Sequence, residues 1–395
     1  MAAVPPTSSF GFPPVATASR GEAWFAGVRA AGVLECIDVV AQPQRLAQPG
    51  FWAVVGEFDG GVRAWRFAHV DRSPRGVLDR QGAADAWRGP SASAWTSSLD
   101  RAGYERAVAR VREEIRAGEV YQANICRVLA APLPPGDAEP DARALAGVLE
   151  AGNPAPFAGG VHVPARSGFE PVWVVSASPE LFLRIEGGVV TSSPIKGTAT
   201  TATGLTAKDE AENVMITDLV RNDLQQVCVP GTVEVTTLLG VEEHPGLVHL
   251  VSTVRGVLEA GLRGSPDLWP RLLAATYPPG SVSGAPKLAA LQLIARLEPV
   301  PRGPYCGTVG WVEVAADGSV RAELAVGIRT FWWRPDGPGG GTLRFGTGAG
   351  ITWGSDPGAE WYESELKARL LVALASGDEL DGLDGLDGLD GRLGA

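Results

Sequence analysis

The segment Ser193-Pro194-Ile195-Lys196-Gly197-Thr198 sets a lysine where the chain's own usage argues for an amine. Of 34 Lys and Arg residues only four are lysine: Lys196, Lys208, Lys287 and Lys367. A solvated or salt-bridging cation in such a chain is expected to be arginine. A nucleophile cannot be, because guanidinium stays protonated whereas surroundings can make an amine neutral. Lys196 is therefore a candidate nucleophile, set against the plainer alternative of a loop lysine pointing into water.

Two acid pairs stand at i,i+3 spacing, Asp209 with Glu212 and Glu360 with Glu363, which puts each pair on one helix face. Two such faces converging make a divalent-ion site, and all-oxygen ligation suits Mg²⁺. The competing explanation is local: Asp209 lies three after Thr206 as a capping residue does, and Glu360 lies near a helix N-terminus that favours acid. Glu180 lies sixteen residues before Lys196 across the Gly187-Gly188 turn, so both can share a cavity. A carboxyl with a burial-raised pKa there could protonate a leaving hydroxyl, or it could be a strand-start acid facing water. His249 lies in an apolar run, where a core histidine is the ordinary reading. Arg329 ends the run Leu324 to Ile328 and either snorkels or grips a carboxylate. The glycine-rich stretches Pro279 to Lys287 and Gly346 to Gly350 offer backbone N–H groups to an anion but match no nucleotide fingerprint.

The elements that must position these residues are legible in part. Asp100 caps a helix with apolar Tyr104, Val108, Val111 and Ile115, stopped at Gly118. It delivers the alternating segment Glu119 to Ile125, where Gln122 and Asn124 point the same way. Pro171 to Ser176 and Leu181 to Thr191 read as a hairpin, with Glu186-Gly187-Gly188 turning the chain back towards Lys196. Helices are expected over Thr206 to Leu219 and from Asp356-Pro357 to about Ala375, and paired strands over Pro304 to Thr330 around Ala316-Asp317-Gly318.

With 395 residues, 45% of them hydrophobic, the chain can bury a sizeable core. About half of its net charge of -11 falls in the Gly-Leu-Asp-rich tail beyond Ser376, which reads as disordered. No basic footprint suggests nucleic acid. Four scattered cysteines form no metal or disulfide pattern, and no apolar run approaches membrane length, so a cytoplasmic location is expected.

Seven ordered motifs resemble the chorismate-utilising enzymes over residues 98 to 372. They are Pro194 to Thr198, Ala211 to Asp223, His249 to Gly256, Gly280 to Lys287, Gly303 to Gly307, Ile328 to Thr330, and Gly348 through Glu363. The resemblance implies an α+β fold in which antiparallel sheets pack face to face with helices outside. It divides the chain into an N-terminal region (1–98), a chorismate-binding catalytic region (99–372) and the acidic tail (373–395). Gln122 holds the place of the base lysine in members that add water, which implies ammonia as the nucleophile. Lysine at 196 is similar to the large component of aminodeoxychorismate synthases, whereas anthranilate synthases carry alanine there and remain the alternative.

By that resemblance Mg²⁺ is held by Glu212 and Glu363 with Asp209 and Glu360 beside them. Tyr305, Arg329, the Gly348-Ala349-Gly350 backbone, Gly197, Thr198 and Gln122 bind chorismate. Lys196 attacks C2, Glu180 protonates the C4 hydroxyl, and His249 steers or shields the ring. No glutaminase triad is present, which implies a separate glutamine amidotransferase subunit that supplies the ammonia. Ala199 and Gln292 depart from the family's usual Arg and Glu.

Overall fold

The computed structural model describes residues 20–72, 86–133, 139–199, 201–244, 247–337 and 339–377. The tail assigned to 373–395 lies mostly outside them, as does the Thr198 side chain.

Strand pairing is antiparallel throughout and forms one ladder. Leu247–Val257 pairs with Glu234–His244, Ile195–Ala199 and Val189–Ser193. From Val189–Ser193 the ladder passes through Leu181–Glu186, Val320–Val326, Thr308–Val314, Gly50–Gly56, Val62–Asp71 and Val28–Asp38. It continues through Glu22–Phe25, Phe157–Val163, Val172–Ser178, Thr330–Gly337 and Gly340–Ile351 to Gln122–Pro132. The two arms share one core: Val54, Trp65, Leu183, Val312 and Leu324 from one arm join Val128, Val161 and Val174 from the other. This is the expected face-to-face packing, the arrangement by which two twisted sheets bury their inner faces. The boundary near residue 98 does not interrupt the sheet, because strands from residues 22 to 71 are woven between later ones.

Helices lie against this sheet. Arg101–Ala117 begins at Asp100, which accepts from the Gly103 amide at 2.7 Å, and ends at Gly118 with φ +81°. Pro357–Ser376 begins at Asp356 with proline in its first turn. Ala207–Gln225 runs six residues beyond the expected end, since Val220 and Leu224 keep its apolar face buried. The Gly187-Gly188 turn joins Leu181–Glu186 to Val189–Ser193 as expected, whereas Val172–Ser178 pairs with Phe157–Val163 and Thr330–Gly337. Among the described residues no helix is long and apolar enough to cross a membrane.

Candidate active site

A β-bulge aims Lys196. Ile195 pairs with Val251 but Thr198 pairs with His249, so one extra residue is accommodated at Lys196-Gly197. Gly197 takes φ +88°, a region costly for other residues, and a Cβ there would come within 2.8 Å of the Asp209 Cβ. Asn213 holds the bulge from the helix side, its Nδ2 donating to the carbonyl of Leu250 at 2.8 Å and reaching that of Lys196 at 3.5 Å.

The far wall is a glycine face. Gly346, Gly348 and Gly350 alternate along Gly340–Ile351, so all three face the same side. A Cβ on Gly350 would collide with Gln122 Nε2 and lie 3.2 Å from both Asn124 Oδ1 and Lys196 Nζ. Three polar side chains thus converge on one Cα. Gln122 and Asn124 share a face as strand alternation predicts, and both are buried. Among the described residues, both amide atoms of Gln122 and Oδ1 of Asn124 have no hydrogen-bond partner. Buried polar atoms left without partners cost free energy, and they mark a surface shaped for a polar ligand.

Lys196 keeps some accessible stem while its amine is enclosed, and burial lowers its pKa against the opposing pull of Glu212 and Glu180. Glu180, buried at the corner between Val172–Ser178 and Leu181–Glu186, shows the complementary shift. Desolvation pushes its pKa up to about 7, with the Ser281 hydroxyl, Lys196 and the Ile195 amide pulling the other way. An amine eased towards neutrality faces a carboxyl eased towards its protonated form. Such opposed shifts make the pair candidates for acid and nucleophile.

The acids expected to hold Mg²⁺ are brought together in part. Glu212, Glu360 and Glu363 act electrostatically on one another. Burial first, then these neighbours, raises Glu212, and burial raises Glu360, whereas Lys367 lowers Glu363. Lys208 Nζ lies 3.4 Å from Glu360 and 3.8 Å from Glu212, and Lys367 Nζ lies 2.6 Å from Glu363. Asp209 is given a different role: its Oδ2 accepts from the Thr206 amide at 2.8 Å and hydroxyl at 2.7 Å, closing a capping box. That carboxylate oxygen is committed to the helix terminus, so local capping accounts for the residue. Among the described residues no three acids enclose an ion by themselves. Mg²⁺ typically uses one or two carboxylates and fills its remaining positions with water and substrate oxygens. The buried Oε1 of Glu212, which accepts no hydrogen bond among the described residues and has Lys208 Nζ at 3.8 Å, lies beside Glu360 and Glu363 and fits that requirement.

Arg329 adopts φ +50° just before Thr330–Gly337, fixed by its carbonyl accepting from the Ala177 amide at 3.0 Å. Its guanidinium makes no ion pair among the described residues, and burial lowers its pKa. Tyr305 is buried with its ring against Gly346, where a Cβ would collide with it. Its hydroxyl accepts from Cys126 Sγ at 3.9 Å, so in this structure it belongs to the Cys126 cluster. His249 is buried, cross-strand from Thr198 on one side and Glu242 on the other. The Gly348 carbonyl accepts from Lys367 Nζ at 3.3 Å, and Ala349 turns into the core.

Four residues without a role in the sequence reading belong to the site: Asn124, Ser281, Lys208 and Lys367. For the two lysines, lysine scarcity was the available signal, since Lys208, Lys367 and Lys287 each pair with an acid. The stretch Pro279 to Lys287 serves as a buttress: Ser281 and Ser283 accept from Asn124, and Gly284-Ala285 pairs with Gln122-Ala123.

Comparisons with known proteins bear on the family and the fold. Residues 77–373 match the family model described as chorismate binding enzyme. The chain is 35% identical over 291 residues to anthranilate synthase component 1 of Saccharolobus solfataricus, covering 71% of this chain and 63% of that protein. It is 32% identical over 292 residues to aminodeoxychorismate synthase component 1 of Salmonella typhimurium, covering 71% and 59%. The matched part thus spans about three-fifths of these relatives. The fold resembles a putative 2,3-dihydroxybenzoate-specific isochorismate synthase of Bacillus anthracis, with a TM-score of 0.73, 22% identity, and coverage of 91% of this chain and 97% of that one. The chain belongs to the chorismate binding enzyme family.

Proposed function

We propose that this chain is the large subunit of an aminodeoxychorismate synthase, converting chorismate and ammonia to 4-amino-4-deoxychorismate on the route to 4-aminobenzoate. The observation that carries the reading is the enclosed Lys196 amine beside Gly350, with its pKa lowered while that of Glu180 is raised to about 7.

Arg329, a half-buried cation with no ion pair among the described residues, receives one substrate carboxylate, the bidentate role for which guanidinium is suited. Glu212, Glu360 and Glu363 would hold Mg²⁺, which supplies positive charge for the second carboxylate. Lys196 then attacks C2 as Glu180 gives its proton to the C4 hydroxyl, which departs as water. Ammonia attacks C4, and the bond electrons at C2 return to Lys196 as a free amine. Gln122, lacking a basic nitrogen, cannot activate water, which favours ammonia over hydration. A glutamine amidotransferase subunit would supply that ammonia.

Incubation with chorismate, Mg²⁺ and ammonium, followed by mass spectrometry, tests the reading. The 4-amino product supports it. A 2-amino product would instead make the chain an anthranilate-type enzyme.

A further inference from the structure

The proposed cycle leaves one proton unaccounted for. Each C4–O cleavage takes a proton from Glu180, while the new C4 amine leaves as ammonium and keeps its own protons. One proton per turnover must therefore return to a carboxylate that is buried and covered by substrate. Ammonia, one proton and chorismate balance against the ammonium product and water.

A cavity with room for about one water molecule adjoins Glu180. Its polar lining is Glu180, Ser281, Ser192, Thr276 and Asp223; Lys196, Gln122, Asn124 and Gly350 do not line it. Asp223 is buried on the Ala207–Gln225 helix, and Lys287 donates to its Oδ2 at 2.7 Å. The Lys287 side chain is 18% exposed, against 9% for Asp223, so it links the pair to solvent. A small void in a largely apolar wall, lined by both Glu180 and Asp223 with three hydroxyl-bearing residues, and with Asp223 tied to a solvent-touching ammonium, has the parts of a proton path. Burial also raises the pKa of Asp223, with Lys287 opposing, which brings the carboxyl nearer to carrying a proton.

We propose that Asp223 and Lys287 form a relay that returns a proton to Glu180 through a water in this cavity. Resting on the chorismate reading above, the relay gives Asp223 a task that no contact with substrate requires.

Asp223→Asn keeps the shape and removes the transferable proton. The expected result is a kcat lowered by about tenfold, less than the loss of a direct general acid. KM for chorismate is unchanged, the solvent deuterium isotope effect on kcat is larger than in the unmodified chain, and added imidazole restores rate in proportion to its concentration. Lys287→Gln gives the same signature more weakly and serves if Asp223→Asn does not fold. A kcat within about twofold of the unmodified chain, or a loss that neither imidazole nor deuterium affects, overturns the relay. Product identity from the unmodified chain tests the amination reading separately, because loss of the C4 hydroxyl needs the proton whichever carbon receives nitrogen.

Discussion

Lys208 Nζ stands 3.4 Å from a Glu360 carboxylate oxygen, joining the helix Ala207–Gln225 to the helix Pro357–Ser376. With Glu212 a further contact at 3.8 Å, this lysine sits among the acids proposed above to hold Mg²⁺. Lys208→Met is expected to bind Mg²⁺ more tightly, as titration calorimetry would read. Without Mg²⁺ it is less stable by only about 0.2–1 kcal/mol, since the amine is half-exposed. A thermal melt unresponsive to Mg²⁺ in both proteins contradicts this account of the acids.

Gly350→Ala places a methyl group where Gln122, Asn124 and Lys196 converge. Overpacking of this kind costs about 1–3 kcal/mol, and here it falls on the space proposed for substrate. Chorismate turnover is expected to collapse while the circular dichroism spectrum stays native. A variant that keeps wild-type KM shows that the convergence point is not where substrate sits.

The raised pKa of Glu180 gives a signed pH prediction. An acid that must be protonated works below about pH 7, so kcat falls as pH rises through that value. Its folded pKa exceeds the ordinary 4.5, so its stabilising contribution is present below that value and is lost as pH rises through about 7. Glu180→Gln should lose about 10²–10⁴ in kcat and flatten the alkaline limb. At pH 8 it should also unfold at higher denaturant concentration, by at most about 3 kcal/mol. Equal pH dependence of stability in both proteins would contradict the burial argument.

Arg329→Gln separates binding from folding. Hydrogen bonds to charged groups contribute about 1.5–3 kcal/mol, so KM for chorismate should rise about 10- to 150-fold. The free protein should not lose stability, because the guanidinium is a half-buried charge with no ion pair to break among the described residues. An unchanged KM would remove Arg329 from the carboxylate site.

Local chemistry was legible in the sequence and long-range placement was not. Lysine usage singled out Lys196, strand alternation put Gln122 beside Asn124, and Asp100, Gly118 and Asp356 marked helix ends where the structure has them. The i,i+3 rule could not tell a capping acid from a facing one, and Asp209 is the former because Thr206 precedes it by three. Nor could spacing show that strands from residues 22 to 71 sit between later strands, or that Lys208 spans two helices 152 residues apart in sequence. Those contacts are set by tertiary pairing, on which local periodicity is silent.

The most direct test is the product made from chorismate and ammonium by Lys196→Met, compared with the unmodified chain by mass spectrometry after a lyase step that releases the aromatic amine. The account predicts 4-aminobenzoate from the unmodified chain and none from Lys196→Met, with both proteins folded. Undiminished 4-aminobenzoate from the variant would show that the ring never bonds to this amine.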